Sequence, residues 1–163
     1  MKRGFSMSNR PIRLKRLVLF VLLTVAVGWI GAMLGGRNEE VYMVLQRPPL
    51  SPPMIVFPIV WSILYILIGT GAYLISKEDL PAVPGTLRIY WSQLILNAVW
   101  PILFWRFGLY TLSAFLIGAI LLLVVALITR AFRINRASGV LFLPYLLWLL
   151  FALYLNIGIA VLN

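Results

Sequence analysis

Five long runs without a charged residue dominate this sequence. They cover residues 17–36, 48–76, 89–105, 107–129 and 137–163. A helix needs about 20 apolar residues, with about 17–25 tolerated, to cross the hydrocarbon core of a bilayer. Inside that core every backbone N–H and C=O must be paired within the protein, which leaves only helices and closed barrels. Barrel strands would alternate apolar and polar residues, whereas these runs are apolar on all sides and therefore predict membrane-spanning helices.

The runs predict an all-α membrane protein, a five-transmembrane-helix bundle in which residues 1–163 form a single transmembrane domain. The predicted helices cover about 16–35, 54–76, 87–106, 109–130 and 139–161. The first run is longer than the apolar region of a signal peptide, so it is interpreted as a retained span. Short connections make consecutive helices antiparallel neighbours. The exception is the long loop 36–53, whose prolines favour extended backbone and cannot continue a helix.

Small residues recur in two of the predicted helices at spacings that allow close helix contact. They are Gly28, Gly31, Ala32, Gly35 and Gly36 in the first helix, and Ala114 and Gly118 in the fourth. The sequence leaves open whether each stripe packs inside the bundle or against a second subunit in a homodimer.

The net charge of +10 is distributed unevenly along the chain. Five spans would put three of the connecting or terminal segments on one side of the membrane. Those segments hold Lys2, Arg3, Arg10, Arg13, Lys15, Arg16, Lys77, Arg88, Arg130, Arg133 and Arg136. The opposite side holds Arg37, Arg47 and Arg106. By the positive-inside rule the N-terminus is cytoplasmic and the C-terminus outside, as in a bacterial inner membrane. The charge is thus explained by the lipid bilayer as partner, without nucleic acid.

The sequence contains no Cys and no His, and its only carboxylates are Glu39, Glu40, Glu78 and Asp79. The missing residue types exclude disulfides and the commonest zinc and haem ligands. All four carboxylates fall in predicted loops, which excludes a carboxylate proton relay through the membrane. No cofactor and no metal site are expected.

Aromatic and polar side chains form a stripe at helical spacing on three predicted helices. The stripes comprise Phe57, Trp61 and Tyr65 on the second helix, Gln93, Asn97, Trp100 and Phe104 on the third, and Tyr145, Trp148, Ala152 and Asn156 on the fifth. Each stripe alone is compatible with packing, because Asn and Gln often join helices in membranes. Together they are also typical of a pocket for a flat, largely apolar ligand, with indole N–H groups as hydrogen-bond donors. Trp29, Trp91 and Trp105 are interpreted only as interface anchors.

Three ordered motifs resemble the translocator protein family, whose members are also called tryptophan-rich sensory proteins or peripheral benzodiazepine receptors. The first is RPPLSPP at 47–53, followed by FPIVWSILY at 57–65. The second is QLILNAVW at 93–100, and the third is PYLLWLLFALYLN at 144–156. Together the motifs span most of the chain.

The resemblance implies a five-helix bundle, often dimeric, that binds porphyrins, haem-related tetrapyrroles or drug-like hydrophobic ligands. Pocket positions carried over from the family are Trp61, Asn97, Trp100, Trp148 and Ala152, and the aromatic stripes add Tyr65, Phe104 and Tyr145. The resemblance also implies that the proline-rich loop is a lid, with Arg47, Pro48, Pro49, Pro52 and Pro53. Some family members are reported to degrade protoporphyrin in light, which makes Trp61 and Trp148 the candidate catalytic residues.

Several positions depart from the family pattern. Leu50 stands where the family usually has Trp, Ala160 replaces a common aromatic residue, and no basic residue follows Tyr154 to complete the proposed cholesterol pattern. Three functions therefore stay open: a tetrapyrrole receptor or transporter, an enzyme-like protein for light- and oxygen-dependent porphyrin degradation, and a structural or assembly subunit. Whether the protein is an enzyme is not decided by the sequence.

Overall fold

The computed structural model describes residues 12–36 and 39–163, and this part of the chain is helical with no β-strand. In chain order the helices are α1 (Leu14–Gly35), α2 (Glu39–Val44), α3 (Val56–Ser76), α4 (Val83–Pro101), α5 (Tyr110–Ile134), α6 (Arg136–Leu141) and α7 (Leu143–Leu162). Four of the basic residues used for the orientation prediction, Lys2, Arg3, Arg10 and Arg37, lie outside the described residues.

Four helical stretches are long and apolar enough to cross a membrane: Leu14–Gly35, Val56–Ser76, Tyr110–Ile134 and Arg136–Leu162. The last stretch combines α6 and α7, which meet at the buried Phe142. Large apolar side chains such as Leu22, Phe115 and Val161 are exposed on the outer surface of the bundle. An apolar surface of this extent fits hydrocarbon rather than water. The chain is an all-α integral membrane protein.

The third predicted span differs from the other four. The helix α4 starts at Val83, earlier than predicted, and it is not among the four apolar stretches because it carries Arg88, Gln93 and Asn97. It contacts α1, α3 and α5, and the side chains of Gln93 and Asn97 are only 0% and 6% exposed. The expected count of five apolar spans is therefore reduced to four, with a more polar helix packed among them.

The chain changes helical geometry after Pro101. Residues Ile102–Arg106 form a π-helical turn, closed by the Phe107 N–H, which donates to the Ile102 carbonyl at 3.2 Å. The wider turn directs Phe104 into the core, where it is 3% exposed. Turns of this kind are frequent at functional sites.

The glycines of α1 pack inside the same chain. A Cβ added at Gly31 would lie 2.7 Å from the Ala98 Cα of α4, and one added at Gly35 would lie 2.6 Å from Pro101. Likewise a Cβ at Gly69 of α3 would lie 2.8 Å from the Val21 Cα of α1. The question left open by the sequence is answered for Gly31 and Gly35, which pack inside the bundle against α4. Gly118 on α5 has nothing within 4 Å of an added Cβ.

The long proline-rich loop contains the helix α2, which the sequence did not predict, and it is fastened to α7. The Gln46 N–H donates to Asn163 Oδ1 at 3.0 Å, and Asn163 Nδ2 donates back to the Gln46 carbonyl at 2.9 Å. The Tyr154 hydroxyl donates to the Pro49 carbonyl at 2.8 Å. A Cβ added at Gly158 would lie 2.5 Å from the Pro48 ring, so the loop rests directly on α7.

We expect Gly31→Val to destabilise the protein strongly, whereas Gly118→Val does not. The new side chain at position 31 meets the backbone of Ala98, and overpacking of this kind costs about 1–3 kcal/mol. Gly118→Val makes the same change in helix propensity, but its new side chain lies in open space. It is therefore a matched control. Thermal unfolding in detergent, followed by helical circular dichroism, measures both variants. Equal melting temperatures would contradict the close α1–α4 contact.

Candidate functional site

A cavity of about 290 Å³ lies between α1, α3 and α4, and Trp105 of the π-helical turn also lines it. Its walls are mainly aromatic and apolar. The lining residues are Val25, Gly28, Trp29 and Ala32 of α1, Phe57, Pro58, Trp61, Ser62, Tyr65 and Ile66 of α3, and Asn97, Trp100, Pro101 and Trp105. An apolar cavity with a few polar groups is the usual form of a small-molecule site, although about 300–1,000 Å³ is typical and this volume is at the lower limit.

The wall on α3 is a pair of stacked rings. Trp61 and Tyr65 lie one helical turn apart, so their side chains share a face, and their ring centroids are 5.2 Å apart at an interplanar angle of 28°. The indole N–H of Trp61 has no hydrogen-bond partner among the described residues, whereas the Tyr65 hydroxyl donates to Asn97 Oδ1 at 3.1 Å. The wall therefore offers a flat aromatic surface and a free donor.

Asn97 belongs to a chain of buried hydrogen bonds. Its Nδ2 donates to the Tyr145 hydroxyl at 3.0 Å, and that hydroxyl donates to Gln93 Oε1 at 2.8 Å. With Tyr65 the chain joins α3, α4 and α7. Gln93 Nε2 is left without a partner. Because both ends of the Asn97 amide are engaged, its orientation at the cavity wall is fixed.

A second group of hydrogen bonds fixes Trp100. Its indole N–H donates to Asn156 Oδ1 at 2.8 Å, and Asn156 Nδ2 donates to the Tyr110 carbonyl at 2.8 Å. The Trp100 ring also stacks on Phe104, with centroids 4.9 Å apart. Trp100 therefore presents only its ring to the cavity, since its polar atom is already used.

The eight predicted ligand-binding residues divide into two groups. Trp61, Tyr65, Asn97 and Trp100 line the main cavity. The other four, Phe104, Tyr145, Trp148 and Ala152, do not. Trp148 and Ala152 line a separate space of about 20 Å³, which Trp61, Asn97 and Trp100 separate from the main cavity. The Trp148 indole N–H is buried there without a partner.

Sequence reasoning missed the parts of the wall on α1 and on the π-helical turn. Trp29 and Trp105 line the cavity, although the sequence suggested only interface anchors. Gly28 and Ala32 were interpreted as packing residues, and that spacing was the available signal, because the absence of a side chain at Gly28 lets the Tyr65 ring pack directly against α1. A Cβ at Gly28 would lie 2.1 Å from the Tyr65 ring.

The loop predicted to be a lid covers one end of the cavity through α2. The Tyr42 ring makes edge contacts with Phe57 and Trp105, at centroid distances of 5.9 and 6.0 Å. The Tyr42 hydroxyl donates to the Pro52 carbonyl at 2.6 Å, and the Arg47 guanidinium lies 4.6 Å from the Tyr42 ring centroid. Pro48 and Pro49 contact α7 as described above. Pro53 is exposed just before α3. Leu50 is 81% exposed and does not line the cavity.

The residues that the structure describes include no group of three or more metal-ligating His, Cys, Asp or Glu side chains. The cavity therefore offers stacking surfaces and hydrogen bonds.

Comparison with known proteins matches residues 20–162 to the TspO/MBR family. The tryptophan-rich protein TspO of Archaeoglobus fulgidus is 32% identical over 150 residues, which cover 91% of this chain and 97% of that protein. The TspO of Chlorobaculum tepidum is 34% identical, with 90% and 95% coverage. The translocator protein of Bos taurus is 35% identical, with 84% and 83% coverage. The sequence motifs, the all-helical membrane fold and these matches agree, and the chain belongs to the TspO/MBR family.

Proposed function

We propose that this protein is a membrane receptor or transporter that binds tetrapyrroles, such as porphyrins, and other flat hydrophobic molecules in the cavity between α1, α3 and α4. The observation that carries the proposal is the Trp61–Tyr65 stack on the cavity wall, with the Trp61 N–H unengaged. A flat macrocycle gains most from an aromatic face of this kind, and an unengaged indole N–H can donate to its polar edge.

Charge supports one orientation of such a ligand. Arg47 is exposed on the lid, and the Tyr42 ring beneath it separates its guanidinium from Phe57 and Trp105 at the cavity end. A ligand whose apolar body fills the cavity would point its carboxylates toward this end, where the guanidinium attracts them; a direct charge-assisted hydrogen bond would require the Tyr42 ring to move aside. The lid then contributes affinity for acidic tetrapyrroles as well as a cover.

The proposal includes α4 as a fifth span. Its 19 residues would rise about 28 Å at 1.5 Å per residue, close to the hydrocarbon thickness of about 30 Å. Its uncharged polar side chains Gln93 and Asn97 are buried against other helices, so they need no contact with lipid. The exposed Arg88 lies in the second turn of the helix, near one end of the span. With five spans, Arg88, Arg130 and Arg133 lie on the same side as the N-terminus, which the positive-inside rule assigns to the cytoplasm.

Titration with protoporphyrin tests the binding site. We expect Trp61→Phe to weaken binding by about threefold to tenfold, because the smaller ring loses stacking area and the N–H donor, a loss of about 0.5–1.5 kcal/mol. The matched control is Trp91→Phe, on α4 and outside the cavity lining. The Soret absorbance of protoporphyrin, followed as it is titrated into each detergent-solubilised variant, gives the dissociation constant.

Saturable binding near one ligand per chain, weakened by Trp61→Phe alone, would support the proposal. Binding that does not saturate, or that is equal in both variants and in empty micelles, would reject it. That result would favour the structural-subunit function, in which the aromatic rings only pack.

The alternative function, light- and oxygen-dependent porphyrin degradation, is favoured by one observation. Trp61 lies in the cavity wall, stacked on Tyr65 and in edge contact with Tyr145 at 6.1 Å. The Trp61 indole would therefore lie directly beside a photo-oxidised ligand in the cavity. The second candidate catalytic residue, Trp148, lies behind the wall.

If the protein degrades porphyrin, we expect Trp61→Phe to slow the reaction at least fivefold and Trp148→Phe to slow it less. The reason is that, of these two tryptophans, only Trp61 lines the main cavity. The measurement is loss of Soret absorbance under illumination in air, with each variant saturated by ligand so that affinity does not enter. Bleaching at the rate of free porphyrin in micelles would exclude this alternative.

A further inference from the structure

Most sides of the cavity are closed by direct contact. The wall between α1 and α4 is sealed where Gly31 meets the Ala98 backbone and Gly35 meets Pro101. The end toward the loop is covered by Tyr42, which packs on Phe57 and Trp105. The loop itself is held to α7 by the paired hydrogen bonds of Gln46 and Asn163.

The side between α1 and α3 is open. These helices touch closely where Gly69 meets Val21 and where Gly28 meets the Tyr65 ring, and the opening lies beside the second contact. There the residues at the cavity margin are exposed on the membrane-facing surface. Trp29 is 68% exposed and Ile66 is 50% exposed, and Ala32 and Ser62 are exposed beside them. The result is a slot that faces the hydrocarbon core rather than water.

We infer that the ligand enters and leaves through this slot, sideways from the bilayer, and that Trp29 is the gate residue. This inference rests on the proposed function and deepens it. It specifies the ligand class as a molecule already dissolved in the membrane, because the open side meets lipid. The small enclosed volume of about 290 Å³ agrees with this route, since the edge of a larger macrocycle can extend into the slot.

Trp29 is suited to act as the gate because it is large and unattached. Among the described residues its ring makes no hydrogen bond and no aromatic contact, and yet it lines the cavity. Trp61 on the opposite helix is held by stacking on Tyr65. An indole on α1 that no partner holds, beside a stacked one on α3, can open the slot by a change of side-chain rotamer without moving a helix.

Because the sequence contains no cysteine, a maleimide reagent modifies only a thiol that is introduced by substitution. The slot can therefore be blocked at a single chosen residue. Ser62→Cys puts a single thiol at the slot. The control Ile63→Cys puts a thiol on the neighbouring residue, which is 55% exposed. That residue is turned about 100° around the helix, away from the cavity. Each variant is modified with pyrene maleimide in detergent, checked for complete reaction by mass spectrometry, and reconstituted into lipid nanodiscs. Stopped-flow Soret absorbance gives the protoporphyrin association rate before and after modification.

We expect modification at position 62 to lower the association rate at least tenfold, while modification at position 63 changes it less than twofold. Equal rates before and after modification of Ser62→Cys would overturn the lateral route. So would equal slowing of both variants, because that would report a general effect of the pyrene group.

Trp29→Ala tests the gate separately. Removal of a gate raises the association rate at least threefold, and the dissociation rate rises by at least as much because Trp29 also lines the cavity. Faster dissociation alone would make Trp29 a binding contact and would overturn its assignment as a gate. Absence of saturable binding in the unmodified protein would instead reject the proposed function, so the two failures are distinguishable.

Discussion

The arrangement of the bundle depends on how polar side chains are satisfied where water is absent. The amide of Asn97 accepts from Tyr65 on α3 and donates to Tyr145 on α7, so a single side chain of α4 joins three helices. An unpaired amide in hydrocarbon costs several kcal/mol, which makes any packing without these partners unfavourable. The position of Tyr65, and with it the Trp61–Tyr65 stack, follows from this hydrogen bond.

The cavity results from where small residues are present and where they are absent. Gly31 and Gly35 bring α1 onto α4, and Gly69 brings α3 onto α1. At the level of Trp29 and Trp61 the facing residues are large rings that cannot interdigitate as closely, and space remains between them. The glycine contacts therefore hold the three helices around the cavity, and the side between α1 and α3 is open beside the Gly28–Tyr65 contact, where Trp29, Ala32 and Ser62 are exposed.

Particular residues show how much of the fold and of the site could be predicted from the sequence. The charge-free runs predicted the membrane helices, and the motifs identified the family, because both depend on local composition and order. Four of the eight predicted ligand-binding residues line the main cavity, since residues four apart on α3 or three apart on α4 share a face. Tyr145 and Trp148 share a face too, but whether a face borders a cavity or the core depends on which helix packs against it. The helix α2 was missed because six residues beside a proline-rich segment carry too weak a pattern.

The sequence by itself determined that this chain is an all-α integral membrane protein of the TspO/MBR family, because long apolar runs in lipid can satisfy their backbone only as helices. Its lack of Cys and His also determined which chemistries are excluded. Only the tertiary structure decided that α1 rather than α7 completes the cavity wall, that α4 is the polar helix of the core, and that the slot opens beside Trp29. Those facts depend on distances between residues far apart in the chain, where a contact such as Gly31 with Ala98 is set by the shapes of both helices together.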